Sequence, residues 1–224
     1  MAKTSKVSLV DEIYQRVRNK ILKGIYLPGT RLIEAELVEE YKVSRVTVRD
    51  ALRRLAAEDM VELLPNKGIK VRQITRKEFH DTMVVRAQLE GLAAKLAAEN
   101  ASADLRSLIR IHDQERELLS KTEWDFNDGT RKNELNQLFH GTVAVLSENS
   151  SLQKLLSQLA AQTHVYQYHF LRSTPRSLFI ESFMCHDDIL TAIQQHRAEE
   201  AFQISYAHVL NGEKFADYYF SSNL

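Results

Sequence analysis

The chain has 224 residues, with 30 Lys/Arg against 30 Asp/Glu, 44% hydrophobic residues, 3 Pro and 7 Gly, which suits a compact, mostly helical protein of two domains. A single cysteine, Cys185, excludes an internal disulfide and suits a reducing cytoplasm. No run of about 18 apolar residues is present to span a membrane, Met1–Val7 has no apolar signal core, and the balanced charge hides a basic N-terminal third and an acidic remainder.

Ser8–Lys23 reads as the first helix, with Val10, Ile13, Val17 and Ile21 facing inward. Gly24, Pro28 and Gly29 end it and lead into a short strand toward Leu32. A second helix, Glu34–Tyr41, precedes a turn at Lys42-Val43. Ser44 is a good N-cap, so a third helix should run from Arg45 to about Glu58. Its Val48, Ala51, Leu52 and Leu55 form one apolar stripe at i, i+3, i+4, i+7 spacing. Val46, Arg49, Asp50 and Arg53 point away from that stripe, and Arg45 sits in the first turn, where free backbone N–H groups favour phosphate. Two β-rich runs, Met60–Leu64 and Ile69–Arg72, follow, joined by a Pro65-Asn66-Lys67-Gly68 hairpin turn. Helix, tight turn, Arg-studded helix and basic-tipped hairpin make a winged helix-turn-helix, a fold that places its second motif helix in the DNA major groove. Taken alone, Arg45, Arg49 and Arg53 read equally well as a solvated helix face.

This block resembles the GntR family of bacterial transcription regulators. The matching residues are Pro28-Gly29-Thr30-Arg31-Leu32, Leu37, the run Val43-Ser44-Arg45-Val46-Thr47-Val48-Arg49-Asp50-Ala51-Leu52, Leu55 and Gly68. The resemblance implies DNA contacts from Arg31, Ser44, Arg45, Val46, Thr47, Arg49 and Arg53, and from Asn66, Lys67 and Gly68 of the wing. Ala35 stands where many relatives place an arginine, so one contact of that pattern is missing.

Thr75-Arg76-Lys77-Glu78 is a capping box that opens a new helix and sets a boundary near residue 74, dividing the chain into 1–74 and 75–224. The second part is an all-α antiparallel bundle, read as helices over 75–99, 103–120, 130–147, 151–172, 176–196 and 198–218, with a polar loop at Thr122–Gly129. Three helices each aim an imidazole inward. Asn136, Phe139, His140 and Val143 share one face; Phe179, Ser182, His186, Leu190 and Ile193 another; Ala201, Ile204 and His208 a third. Histidines on three converging helices form a natural site for Zn²⁺, Ni²⁺ or a similar ion, while each one alone reads as a hydrogen-bonded core histidine.

Here the chain resembles the FCD subgroup of GntR regulators, through Arg86-x-x-Leu89-Glu90, Asn136-x-x-Phe139-His140, Asn149-x-x-Leu152, His186-x-x-Ile189-Leu190 and Ala207-His208. The resemblance implies a homodimer that binds a small carboxylate effector, often through a divalent metal held by three His and an acidic residue. The ligands here would be His140, His186 and His208, with Asn136 replacing the acidic group and leaving the site one charge more positive. Arg86 and Glu90, one turn apart, read either as an internal ion pair or as a guanidinium clamp on the effector. Ser182, His164 and Tyr168 are further candidates for the effector cavity. Cys185 points about 100° from its neighbour His186 on a helix, and Trp124 reads as a cover for the bundle.

The resulting expectation is a cytoplasmic regulator that binds a double-stranded DNA operator and senses a small organic or sugar acid. Two alternatives are a metal-dependent hydrolase fused to a DNA-binding module and a regulator whose His cluster is purely structural. Against the hydrolase, the sequence has no HExxH motif and no activated Ser or Cys arrangement.

Overall fold

A computed structural model describes residues 8–64, 68–73, 75–171 and 174–222, and the side chains among them except at 161, 162, 164–171 and 218–222. The chain divides into two compact units, Met1–Ile74 and Thr75–Leu224. No helix among the described residues is long and apolar enough to cross a membrane.

In the first unit, α1 (Leu9–Leu22) begins at Ser8, whose hydroxyl accepts the Val10 N–H at 3.2 Å, and buries Ile13, Val17 and Ile21. β1 (Arg31–Leu32) leads to α2 (Glu34–Tyr41), which ends at Lys42 in the left-handed region with φ 54°. That residue reverses the chain into α3 (Arg45–Ala57). The α3 stripe expected from the sequence is present: Val48, Ala51, Leu52 and Leu55 are each 0% exposed. Each large aliphatic side chain buried this way stabilises the unit by about 1.5–3 kcal/mol, so the stripe fixes which face of α3 stays outside. β2 (Val61–Leu64) and β3 (Gly68–Val71) form the hairpin, and β1 joins it to give an antiparallel sheet of order β1-β3-β2. The register pairs Leu64 with Gly68 and Arg31 with Lys70. Gly68 has φ +86°, a backbone that residues with a Cβ rarely adopt. Asn66 and Lys67, the other wing positions named from the sequence, lie outside the described residues.

The second unit is helical throughout its described residues. α4 (Arg76–Glu99) starts with the complete Thr75/Glu78 capping box. α5 (Arg106–Leu119), α6 (Phe126–Leu146), α7 (Ser150–Leu171), α8 (Arg176–Gln194) and α9 (Ala198–Asn211) follow. Two sequence expectations are corrected. The polar stretch at 122–129 is loop only to Asp125, because Asp125 and Asp128 form a second reciprocal capping box that starts α6 at Phe126. The helix expected over 198–218 is two helices, since α9 stops at Asn211 and α10 (Glu213–Ser222) starts afresh beyond Gly212. A Cβ at Gly212 would lie 2.9 Å from both the Met83 Cε tip of α4 and the Val209 backbone carbonyl oxygen, so a side chain there would press on the rigid end of α9. α4 also packs tightly along α9, where a Cβ on Gly91 would meet the Phe202 ring at 3.0 Å. A row of alanines on α4 (Ala93, Ala94, Ala97, Ala98) meets Leu108, Phe139, Val143, Ile189 and Ala201 in the core.

Candidate functional site

In the first unit the face of α3 opposite its stripe is open. Val46 is 68% exposed, and Arg45, Arg49 and Arg53 are exposed as well. Ser44 caps the helix by accepting the Thr47 N–H at 3.1 Å, and the Ser44 and Thr47 hydroxyls lie 2.8 Å apart. Part of their polar capacity therefore goes to shaping the helix start. Arg53 lies 3.6 Å from Asp50. Arg49 reaches back to α2, where its Nε donates to both oxygens of Glu34 at 3.0 and 2.9 Å. Glu34 had drawn no notice from the sequence.

In the second unit, His140 of α6, His186 of α8 and His208 of α9 come together, their ligating nitrogens all within 4.8 Å of one another. His140 Nε2 lies 3.2 Å from His208 Nε2 and 3.4 Å from His186 Nε2. Behind two of the rings stand carboxylates. His140 Nδ1 contacts Glu90, and His186 Nδ1 donates to Glu115 Oε2 at 2.7 Å. A carboxylate accepts only, so each Nδ1 carries the proton and Nε2 is the ring atom turned into the cluster. Phe139 stacks on His186 at 4.1 Å and fixes its plane. Burial depresses the His186 and His208 pKa values well below the ordinary histidine value, with the neighbouring cations and imidazoles adding to it. These rings stay neutral, the state in which imidazole binds metal.

That arrangement fits a divalent ion. His186 Nε2, an acceptor on its neutral ring, faces His140 Nε2 at 3.4 Å. Nitrogens about 2.0–2.1 Å from a tetrahedral Zn²⁺ stand about 3.3 Å apart, close to the 3.2 and 3.4 Å from His140 Nε2 to its two partners.

Charged groups around the cluster are buried and paired. Arg86 and Glu90 are 6% and 5% exposed, with Arg86 Nε donating to Glu90 Oε1 at 2.5 Å. Burial works against the Glu90 charge, but Arg86 and His140 outweigh it and hold the carboxyl well below the usual range. Lys132 is fully buried on α6 and donates to Glu115 Oε1 at 2.9 Å; burial lowers its pKa and Glu115 opposes that shift. Glu115 thus bridges an ammonium and a ring of the cluster.

A cavity opens beside the histidines. Its polar wall includes Arg86, Lys132, Asn133, Asn136, Ser182, His140 and His208; Phe79, Met83, Phe179 and Phe215 form an apolar wall. Asn136 and Ser182, both named from the sequence, are therefore in place beside it. Arg86 forms the internal pair with Glu90 and also lines the cavity. Cys185 lines the cavity but is not part of the three-nitrogen cluster. The side chains of His164 and Tyr168 lie outside the description. Trp124 sits 5.6 Å from Phe179 with the Arg176 guanidinium over its ring.

Glu115, Lys132 and Asn133 were missed from the sequence, although a signal existed. Glu115 shares the buried α5 face with Leu108, His112 and Leu118, and Lys132 and Asn133 occupy buried positions on the α6 face of Phe139. A charge on an otherwise apolar stripe marks a buried partner.

Residues 9–71 match the family described as bacterial regulatory proteins, gntR family, and residues 81–211 match the FCD domain. The Uxu operon regulator of Haemophilus influenzae is 29% identical, covering 91% of this chain and 82% of its own. The transcriptional regulator McbR of Escherichia coli is 28% identical over 70% of this chain and 69% of its own. Among solved structures, E. coli McbR/YncC superposes with a TM-score of 0.72 at 21% identity, covering 97% of this chain and all of that one, which shows a common fold. This chain belongs to the GntR family of DNA-binding transcriptional regulators, with an FCD effector-binding domain, and is not an enzyme.

Proposed function

We propose that this cytoplasmic regulator binds operator DNA as a homodimer and is switched by a small carboxylate that meets a divalent metal, Zn²⁺ or Ni²⁺, in the helical unit. The observation that carries the metal is the set of three inward Nε2 atoms, two of the rings being backed by the buried carboxylates of Glu90 and Glu115. His140, His186 and His208 would hold the ion, with Asn136 beside them as a neutral oxygen donor. When bound, the ion supplies positive charge and open coordination positions for a carboxylate. The chain's own residues do the rest. Glu90 and Glu115 orient the rings, Arg86 and Lys132 add positive charge beside the cavity, and Ser182 and Asn136 offer hydrogen bonds to the ligand's polar end.

In the other unit the open face of α3 supports groove contact by Arg45, Val46 and Arg49, with Ser44 and Thr47 at the helix start, Arg31 and Arg53 flanking, and the wing of Asn66, Lys67 and Gly68 alongside. One such unit reads only a few base pairs, which is why a two-fold dimer on a roughly palindromic site is proposed.

Metal analysis of purified protein, joined to calorimetric titration with organic and sugar acids, tests the metal reading. His140→Ala and His208→Ala should lower metal content and abolish the acid response, with DNA affinity in the absence of acid unchanged. Metal and acid should each tighten the other's binding by the same factor. Wild type that binds acid at full affinity after chelation overturns the metal bridge.

A further inference from the structure

We propose that Glu34 is a positioning residue for sequence recognition: it holds the Arg49 guanidinium in the orientation that reads a base, and so sets specificity rather than affinity. The proposal rests on the reading of α3 as the helix that enters the groove.

Glu34 opens α2 and Arg49 lies one turn into α3, 15 residues apart, so the contact ties together the two helices of the motif. Both hydrogen bonds that Glu34 accepts come from Arg49 Nε, at 3.0 and 2.9 Å. The pair of donors that matches guanine O6 and N7 is carried by the terminal nitrogens of the same planar group, so this grip orients them without consuming them. An arginine side chain left free samples many rotamers and loses that freedom when it docks. Arg49 is still 55% exposed, so its charge remains presented outward, while Glu34, at 26%, is more sheltered. As a stability device such an exposed pair contributes little.

The sign of the charge separates positioning from simple attraction. A carboxylate on the face that meets a polyanion repels phosphate, so removing it strengthens binding to any duplex. If Glu34 positions Arg49, removing it also weakens the preferred sequence relative to all others. The two effects are opposite in direction, and their ratio is the observable. Ala35 sharpens the point. With no arginine at the next position of α2, the contribution of this helix to base reading passes through Glu34 to Arg49.

The probe is a duplex selected from a randomised pool by the full-length wild-type protein, set against a scrambled duplex of equal length and at equal salt. Glu34→Ala should raise affinity for the scrambled duplex and reduce the selected-to-scrambled ratio by about tenfold. Reselection with this variant should relax preference at one base pair in each half-site, the same one that Arg49→Ala relaxes. In the Arg49→Ala background, Glu34→Ala should cost no further specificity. Glu34→Gln, which keeps an oxygen acceptor for Nε, should restore most of the ratio. A ratio unchanged in Glu34→Ala while Arg49→Ala relaxes one base pair overturns the positioning role and leaves the groove reading standing. If Arg49→Ala changes no preference, the groove reading of this arginine fails, and the proposal with it. Equal loss on both duplexes, not rescued by Glu34→Gln, also overturns it, since that pattern marks a folding effect.

Discussion

The two units use polar side chains in opposite ways. In the winged unit the buried residues are apolar, and the arginines of α3 stand on an open surface. Every buried polar or charged residue among the described ones belongs to the helical unit, including Arg86, Glu90, His112, Glu115, Lys132 and His186. A surface that meets a charged polymer needs only an apolar core to orient it, because the partner supplies the counter-charge. An interior that meets a small ligand must carry its own balanced charges, and it keeps them at the cost of desolvation. Removing one buried charge should therefore damage the helical unit far more than removing one surface charge damages the winged unit.

The largest expected effect comes from Glu115→Ala, which strands the Lys132 ammonium and the His186 N–H in a dry interior. The helical unit should lose about 3–5 kcal/mol. Trp124 is the chain's single tryptophan and lies in that unit, so its fluorescence during denaturant unfolding reports the loss selectively. A loss no larger than that of a surface mutant would end the contrast between the two units.

Ser44→Ala should cost about 1 kcal/mol through the lost cap on α3. The Trp124 transition should stay in place, while the remaining circular-dichroism transition moves to lower denaturant. A shift in both signals would mean that the units do not unfold separately.

The smallest effect concerns Tyr14 of the winged unit. Tyr14 donates to Glu58 at 2.6 and 2.8 Å, and burial, helped by Glu58, pushes its pKa up to about 12. The fold favours the protonated phenol, so this contribution is complete below the unfolded value of 10.0 and is lost as pH rises through about 12. Tyr14→Phe should flatten the fall of melting temperature between those limits and leave its slope at neutral pH unchanged. An unaltered alkaline slope would remove Tyr14 from the account.

Much of this was legible in the sequence where one period or one cap decides. The Ser44 cap and the Val48–Leu55 stripe set the α3 face, and Thr75–Glu78 set the start of α4. The three inward histidines were readable for the same reason, since i, i+3, i+4 spacing fixes a face on a single helix. What escaped depended on pairs between helices. Glu115 belongs to the site only because α5 lies where its two oxygens reach Lys132 on α6 and His186 on α8, and no single-helix pattern announces that. Glu34 escaped likewise, being joined to Arg49 across a turn. Gly212 was hidden by its own context, because residues on both sides are good helix formers and the crowding at its Cβ position comes from Val209 and from Met83 on another helix.

That break has a practical consequence for anyone altering the C-terminal part of the chain. The three clustered histidines all precede Gly212, whereas Lys214 and Phe215 of α10 form part of the cavity wall. α10 is fastened by a hydrogen bond between His80 Nδ1 and Glu213 at 2.7 Å and by exposed ion pairs of Lys214 with Glu181 at 2.5 Å and of Arg76 with Asp217. Shortening the chain at Gly212 would keep the chemistry of the pocket and take away one side of its container. A tag or fusion partner attached beyond α10 is accordingly a modification of the pocket's wall, and access to the cavity can be varied there without touching any of the clustered histidines.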